Sequence, residues 1–221
     1  MLTLEIPVDC KGLCLFADFV FHPVFPATEL RKRQRHDKTL KVASPVDPGS
    51  FHLTIAMGVT QAEFRKAMGS FATGVTVITV DHEGAVHGMT ANAFTSVSLD
   101  PLLVLVCVDH RARTHAHLHA RKRFGVNVLA ENQRAISEYY ARSGGTHERA
   151  EQEADATFDR TAHGTPVLHG ALAYLECHLH TAQDAGDHTI FIAEVEDVVV
   201  RYGDPLLYFR GNYRKIGSAK T

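Results

Sequence analysis

Cysteines are few in this chain, and none of them forms a C-x-x-C pair. There are four in 221 residues, Cys10, Cys14, Cys107 and Cys177, and the last two fall in apolar runs typical of strands. Cysteines of that kind are typical of buried thiols in a reduced compartment, and a disulfide-stapled fold would need a denser framework. The sequence therefore predicts a reduced, cytoplasmic protein.

Strong charge of one sign and long hydrophobic runs are also missing. The net charge is -2, so no global field recruits nucleic acid or an anionic membrane surface. The apolar segment at residues 12–25 is short and is interrupted by Asp18, His22 and Pro23, which disfavours a membrane span. Nucleic-acid and membrane partners are therefore not expected.

Four familiar catalytic and nucleotide-binding signatures are absent. The chain has no G-x-G-x-x-G after a strand and no G-x-x-x-x-G-K-[ST], so a Rossmann or Walker phosphate loop is excluded. It also has no G-x-S-x-G and no H-E-x-x-H, which leaves hydrolase chemistry without an evident nucleophile or metal motif.

The first 56 residues differ in character from the rest. A basic run at residues 31–35 follows the apolar segment, whereas a signal peptide carries its positive charge before it. This run is interpreted as a solvated tail, with a targeting or nucleic-acid patch as the alternative. Pro45, Pro48 and Gly49 indicate a linker. We therefore expect a tail at residues 1–56, a folded domain at residues 57–221, and Met57 as a candidate native start.

From Met57 onward the pattern predicts many short strands and few helices. Thr60 and Glu63 form a capping-box pattern that begins an amphipathic helix, expected to end near Ala72. Helices are also predicted from about residue 114 to 122 and over 131–143, and an irregular surface connection over 144–164. Strands and helices do not alternate regularly, so the fold class is mostly β, an antiparallel barrel or sandwich with a few flanking helices.

Residues 88–108 are the most informative stretch. Short polar and small side chains precede an apolar, β-branched run at residues 102–108. Small residues allow a flat ligand to approach the backbone, and hydroxyl and amide groups supply hydrogen bonds. The alternative is a polar hairpin that leads into a core strand.

Two further segments contain candidate ligand contacts. Arg113 and Thr114 open a helix, where free amides, a guanidinium and a hydroxyl suit a phosphate; alternatively Thr114 only caps the helix. His115 and His119 lie one turn apart, but without a third ligand they are interpreted as a solvated face, and no metal is expected. His188 follows a Gly-Asp turn and either faces a ligand or is a plain turn residue.

Five segments together resemble the short-chain flavin reductase family, whose fold is the FMN-binding split barrel. They are F-R-K-A-M-G-S-F-A-T-G-V-T-V-I-T at 64–79, the 88–108 stretch, R-F-G-V-N-V-L at 123–129, G-D-H-T-I-F-I-A-E-V at 186–195 and Y-F-R-G-N-Y at 208–213. The resemblance implies a homodimeric NAD(P)H:flavin oxidoreductase that uses NADH or NADPH to reduce FMN, with FAD as the alternative. It also implies a flavin-dependent monooxygenase component as partner.

The resemblance assigns roles to individual residues. The residues expected along the isoalloxazine and ribityl groups are Thr90, Ala91, Asn92, Ser96 and Ser98, followed by Cys107, Val108 and Asp109. Arg113 and Thr114 are expected at the phosphate, His188 at the nicotinamide, and Tyr208 and Arg210 near it. Many members have Ser where Ala112 stands, which would remove one phosphate donor, and many read D-P-P where this chain has Asp100-Pro101-Leu102.

The absence of a catalytic nucleophile motif agrees with the chemistry of this family. Hydride transfer between two cofactors needs no nucleophile from the protein, which supplies binding and stacking geometry. Two other interpretations remain open at this stage. One is a non-catalytic flavin- or haem-binding split-barrel protein, and the other is a metal-binding protein based on the 15 histidines.

Overall fold

The computed structural model describes residues 58–142 and 154–217. Three α-helices and one 3-10 turn lie within these residues. They are α1 (Gln61–Met68), α2 (Arg113–Arg121), the 3-10 turn Glu131–Gln133 and α3 (Arg134–Tyr140). The predicted tail at residues 1–56 lies outside the described residues.

Helix α1 begins at the predicted capping box. The Glu63 amide donates to the Thr60 hydroxyl at 3.2 Å, and the Thr60 amide donates to the Glu63 carboxylate at 2.9 Å. Two of the free amides at the helix start are thereby satisfied. The helix ends at Met68, with Gly69 as its C-cap, and not near Ala72 as predicted.

Twelve strands make up the rest of the described secondary structure. They are β1 (Thr73–Gly74), β2 (Thr76–His82), β3 (Ala85–Ala91), β4 (Phe94–Leu99), β5 (Leu102–Asp109), β6 (Arg123–Val128), β7 (Phe158–Arg160), β8 (Pro166–Leu168), β9 (Ala173–Ala185), β10 (His188–Val200), β11 (Leu207–Phe209) and β12 (Asn212–Arg214).

Seven of these strands form one antiparallel sheet in the order β3-β2-β6-β9-β10-β5-β4. Its two edge strands, β3 and β4, are consecutive in sequence and are joined only by Asn92 and Ala93. Such a short link holds the two edges together at one end, so the sheet must curl into a barrel that stays open between β3 and β4. The Cys107 amide donates to the Ala93 carbonyl at 3.0 Å at this opening. The predicted fold class is confirmed.

The barrel interior is filled by alternate residues of its strands. On β5 the buried positions are Val104, Val106 and Val108, and on β10 they include Phe191 and Ala193. Each fully buried valine or phenylalanine side chain contributes about 1.5–3 kcal/mol to folding. The residues between them on the same strands face outward and are only half-buried.

A second core cluster lies under α3 and the small sheet β1-β11-β12. Tyr139 and Tyr140 of α3 are buried in it, and strand β3 passes directly beneath the Tyr140 ring. A Cβ atom on Gly88 would lie 2.6 Å from that ring, which is closer than atoms can pack. The aromatic ring that Gly88 admits in this structure is therefore that of Tyr140.

One prediction for the second half of the chain was wrong in part. Residues 144–164 were expected to be irregular, but β7 pairs with β8 across Phe158–Leu168 and Arg160–Pro166. Glu176 of β9 is a buried carboxylate, and the hydroxyls of Thr161 and Thr165 donate to it at 2.9 and 2.6 Å. Residues 143–153 lie outside the described part of the chain.

In the described ranges, no helix has both the length and the apolar character needed to cross a membrane.

Candidate functional site

The predicted flavin and nicotinamide residues meet where β5 and β10 pair. His188 lies directly opposite Asp109, and Ile190 lies opposite Cys107. Directly opposed residues of an antiparallel pair share a face, so these four side chains lie on the outer face of the sheet. We call this row of Cys107, Asp109, His188 and Ile190 the strip. Val108 points the other way, into the core, so only its backbone can contact a ligand on this face.

Asp109 and His188 lie in a polar, charge-paired environment. The Arg111 guanidinium and backbone amide both donate to the Asp109 carboxylate, at 2.6–3.2 Å, and hold its pKa well below the usual value. Asp187 contacts His188 with 2.7 Å between its carboxylate and Nδ1, and this bond lowers the Asp187 pKa. His188 is therefore oriented through Nδ1, which leaves Nε2 for another partner.

Cys107 is a half-buried residue on the same face. Burial raises the pKa of its thiol, so the sulfur stays protonated at neutral pH. A protonated thiol is a poor nucleophile, so Cys107 is not expected to form a covalent bond with a ligand.

The other predicted flavin residues lie around the opening between β3 and β4. The Thr90 hydroxyl donates to the Ser137 carbonyl at 2.7 Å, which ties β3 to α3. Ala91 is buried in the barrel core, whereas Asn92 is exposed in the link between the two edge strands. Of these three residues, Asn92 is the one whose side chain is free to reach a ligand.

A β-bulge separates Ser96 from Ser98 on β4. Ser96 pairs with Val104, which faces the core, and Ser98 pairs with Leu103, which faces outward. The Asp100 amide donates to the Ser98 hydroxyl at 3.2 Å. In a regular strand, two residues spaced two apart would lie on the same face. Because of the bulge, Ser96 is paired with a core-facing residue and Ser98 with an outward-facing one.

The start of α2 is open to an anion. Ala112 is the N-cap residue and makes no side-chain cap, so Thr114 does not cap the helix. The first amides of an uncapped helix have no partner within the helix and carry the positive end of its dipole. Arg113 is exposed beside them, while Thr114 is buried. Arg111 is engaged by Asp109, so Arg113 is the cation available at this seat.

Tyr208 belongs to the small sheet β1-β11-β12, and Arg210 follows strand β11 of that sheet. Tyr208 pairs with Thr73 and stacks edge-on against Tyr213 in the sheet β1-β11-β12. The Arg210 amide donates to the Gly69 carbonyl at 2.8 Å, at the end of α1. None of the contacts described for either residue is with His188, so their predicted proximity to it stays a prediction.

Sequence reasoning missed a cluster that lies next to His188. Thr189, His110, His115 and Asp184 are joined by hydrogen bonds, and Thr189 is completely buried. The prediction that His115 belongs to a solvated helix face was wrong, because its ring bonds to Thr189 across 74 residues of sequence. The sequence did contain one indication of this cluster. Thr189 is a polar residue at an inward position of β10, and the next inward residues, Phe191 and Ala193, are apolar.

Three other histidines, His82, His87 and His117, pack ring against ring. Their centroids lie 4.3, 4.3 and 5.6 Å apart. Within residues 58–142 and 154–217, no group of three or more His, Cys, Asp or Glu is arranged to hold a metal ion.

The donor set of this region fits a phosphorylated flavin and a nicotinamide nucleotide. A planar ligand can lie along the half-buried outer face at Cys107 and Ile190, and Asn92 can donate to it from the barrel opening. A phosphate can bind the uncapped end of α2 beside Arg113. His188 stands at the end of the same strip.

The family profile of the flavin reductase like domain matches residues 68–217. The chain belongs to this family. It is 40% identical over 161 residues to an NADH-dependent flavin reductase from a Rhodococcus species, which covers 72% of this chain and 88% of that protein. It is 39% identical over 153 residues to the reductase component of a 4-nitrophenol 4-monooxygenase/4-nitrocatechol 2-monooxygenase from Rhodococcus opacus, covering 69% and 80%.

A solved relative has the same fold. The NADH:FAD oxidoreductase of Streptomyces globisporus C-1027, solved in complex with NAD and FAD fragments, superposes with a TM-score of 0.66 at 36% identity. The match covers 72% of this chain and 94% of that one. The resemblance identified from the five sequence segments is therefore confirmed.

Proposed function

We propose that this protein is an NADH-dependent flavin reductase that supplies reduced flavin to a separate flavin-dependent monooxygenase component. Family membership and the names of the relatives support the predicted class, an NAD(P)H:flavin oxidoreductase. The structural observation that carries the proposal is the pairing of His188 with Asp109. His188 is the residue expected at the nicotinamide, and Asp109 is one of those expected along the flavin.

The bound flavin supplies the acceptor for a hydride delivered by the nicotinamide. The chain's own contribution is to bind and orient the two ligands. Arg113 and the amides at the start of α2 would hold the flavin phosphate, and FMN is the expected form with FAD as the alternative. His188, oriented through Nδ1 by Asp187, would donate from Nε2 to the nicotinamide side. Its role is orientation, because hydride transfer leaves no proton to exchange at the reacting carbon.

The experiment that tests this function is flavin-dependent oxidation of NADH by the purified full chain. Turnover with FMN or FAD, and faster turnover of a coupled monooxygenase, supports the reductase. Binding of flavin without NADH or NADPH oxidation would favour a non-catalytic flavin-binding protein instead.

The same proposal includes a homodimer, supported by the exposed apolar side of α1. No residue of α1 is buried; Phe64 of the helix is 59% exposed, and Phe71, just beyond the helix end, is 70% exposed. A short helix is stable only when its apolar side is covered, and exposed apolar patches commonly mark interfaces. A second copy of the chain is the proposed occupant, because it could also bring Tyr208 and Arg210, at the end of α1, to the strip that holds His188.

The oligomeric state can be measured by light scattering during gel filtration. Replacing both Phe64 and Phe71 by Ser should convert the dimer into a monomer. A wild-type protein that elutes as a monomer at micromolar concentration would refute this part of the proposal.

A further inference from the structure

One buried hydroxyl next to His188 joins three separate elements. The Thr189 hydroxyl donates to the Asp184 carboxylate at 2.7 Å and lies 2.8 Å from Nε2 of His115 and 3.1 Å from Nε2 of His110. A hydroxyl can donate one hydrogen and accept two. Since the carboxylate takes that hydrogen, both imidazoles must donate from Nε2, and the hydroxyl is then fully satisfied.

The three partners come from both sides of the candidate site. Asp184 lies near the end of β9, in the hairpin that leads to His188, and pairs with Thr189 across it. His110 follows β5, and His115 lies in the first turn of α2, two residues after Arg113. The hydroxyl thereby links the β9–β10 hairpin, which carries His188, to the start of α2, where the flavin phosphate is expected to bind.

The position itself does not require a hydroxyl for packing. Thr189 is completely buried and lies opposite Val108, in the row that continues with Phe191 and Ala193. Valine has the same branched shape and would fill this space without burying a polar group. A buried polar group is favourable only when its hydrogen bonds are made, as all three are here.

We propose that Thr189 is a positioning residue, which fixes the distance between the nicotinamide-side His188 and the phosphate-side start of α2. This rests on the proposed reductase function. Successive residues of a strand point to opposite faces, so Thr189 anchors the backbone from inside while His188 projects outward opposite Asp109. Without the hydroxyl, the hairpin and α2 lose their shared contact, and small displacements of reacting groups cost large factors in rate.

The central test is Thr189→Val, with Thr189→Ser as the variant that keeps the hydroxyl. In stopped-flow experiments, the valine variant should reduce bound flavin at least tenfold more slowly with NADH. Its preference for FMN over riboflavin in binding titrations should also fall several-fold, because Arg113 and α2 shift together. The serine variant should retain most of both properties.

Thr79 provides a matched control. It is also completely buried, and its hydroxyl donates to the Pro166 carbonyl at 2.7 Å and accepts from the Asn127 side chain at 3.1 Å. Thr79→Val removes a comparable buried hydroxyl away from the strip. Like Thr189→Val, it should lower the unfolding temperature, but it should leave the flavin reduction rate and the FMN preference unchanged.

Nitrogen-15 NMR of the histidine rings tests the geometry without any activity. Wild-type His110 and His115 should both show the Nε2–H tautomer in the ligand-free protein, and Thr189→Val should disturb both signals. If Thr189→Val does not fold, Asp184→Ala removes the surface partner of the same hydroxyl and should slow reduction in the same direction.

Three results would overturn the proposal. They are a wild-type reduction rate in Thr189→Val, equal effects of Thr189→Val and Thr79→Val on rate and FMN preference, and an Nδ1–H tautomer at His115. Each of these leaves the reductase function intact. A wild-type protein without flavin-dependent NADH oxidation would instead refute the function itself, while the tautomer measurement would still report on the hydrogen-bond network.

Discussion

His188 lies directly opposite Asp109 in the antiparallel pairing of β10 with β5. The two residues are 79 positions apart in sequence; Asp109 is the last residue of β5 and His188 is the first residue of β10. Their neighbours are also joined, because the His110 amide donates to the Asp187 carbonyl at 3.1 Å. The expected flavin side and the expected nicotinamide side are therefore held on one rigid pair of strands. This arrangement makes the roles of the two sides separable by mutation.

Replacing His188 by Ala should slow flavin reduction and leave flavin binding nearly unchanged. The ring is expected to orient the nicotinamide, so its loss should lower the rate of hydride transfer through poorer stacking geometry. Stopped-flow reduction and flavin titration on the same variant separate the two effects. Asn at this position should restore part of the rate if a hydrogen bond to the carboxamide is what matters. A collapse of flavin affinity with a normal reduction rate would place His188 on the flavin instead.

Replacing Arg113 by Ala should weaken FMN far more than riboflavin. A charge-assisted bond to the phosphate would be lost, which corresponds to roughly 1–3 kcal/mol of binding free energy. Isothermal titration with the two flavins measures the difference. Arg111→Ala is the matched control, because that arginine is engaged by Asp109 and is expected to affect both flavins alike.

Replacing Ala112 by Ser should stabilise the protein and favour FMN. A serine at this N-cap position can accept a hydrogen bond from the first turn of α2, worth about 0.5–2 kcal/mol, and its own proton can be donated to a phosphate. Thermal unfolding and the FMN-to-riboflavin affinity ratio test the two effects. A higher unfolding temperature without any change in that ratio would separate the helix cap from phosphate binding.

Local signals in the sequence predicted local structure well. The capping box of Thr60 and Glu63 needs only residues three apart, and it is present as expected. Long-range partners could not be predicted in the same way. Glu176 is buried because Thr161 and Thr165 fold over it, and strands as short as β7 are defined mainly by the strand they pair with.

The candidate site shows the same division. Five sequence segments located the strip at Asp109 and His188, but strand alternation alone does not reveal that Val108 faces the core while Cys107 faces outward. His115 looked like one of several histidines on an exposed helix face until the fold brought Thr189 against it. Such contacts depend on the curl of the sheet, which no short segment encodes.

Removing residues 1–56, so that the chain begins at Met57, should leave folding, dimerisation and flavin reduction intact. The capped helix α1 starts just after that point, and the family profile matches from residue 68. Light scattering, thermal unfolding and NADH oxidation of the shortened chain test this. A chain that begins at Ser70 also lacks α1 and should fail to dimerise. Loss of folding or turnover in the chain beginning at Met57 would refute the prediction.

Stability should fall as the pH drops below about 6.5. Burial is the main cause that lowers the pKa of His87, His115 and His117 from their ordinary value of 6.5. Above that pH the three imidazoles are neutral in both the folded and the unfolded chain. Below it the unfolded chain binds protons that the folded chain resists, so the free energy of unfolding decreases until the lower folded pKa values are passed. Urea unfolding between pH 7.5 and 5 measures this slope.

A substitution in the cluster of His82, His87 and His117 tests whether these histidines cause the loss of stability at low pH. His117 lies 4.3 Å from both His82 and His87, and the positive charge of Arg113 further opposes protonation of His87, while Asp81 favours it. His117→Asn removes one imidazole with a lowered pKa and also removes the charge of His117 that lowers the pKa of His87. The decrease in the free energy of unfolding between pH 6.5 and 5 should therefore become shallower. His180→Asn changes an exposed histidine on β9 and serves as the control, which should keep the wild-type slope. The carboxylates whose pKa values are lowered lose their contribution only at more acidic pH, below their ordinary values of 3.8 for Asp109, Asp184 and Asp187 and 4.5 for Glu63 and Glu176. A slope in His117→Asn that equals the wild-type slope would show that these three histidines do not control the acid sensitivity.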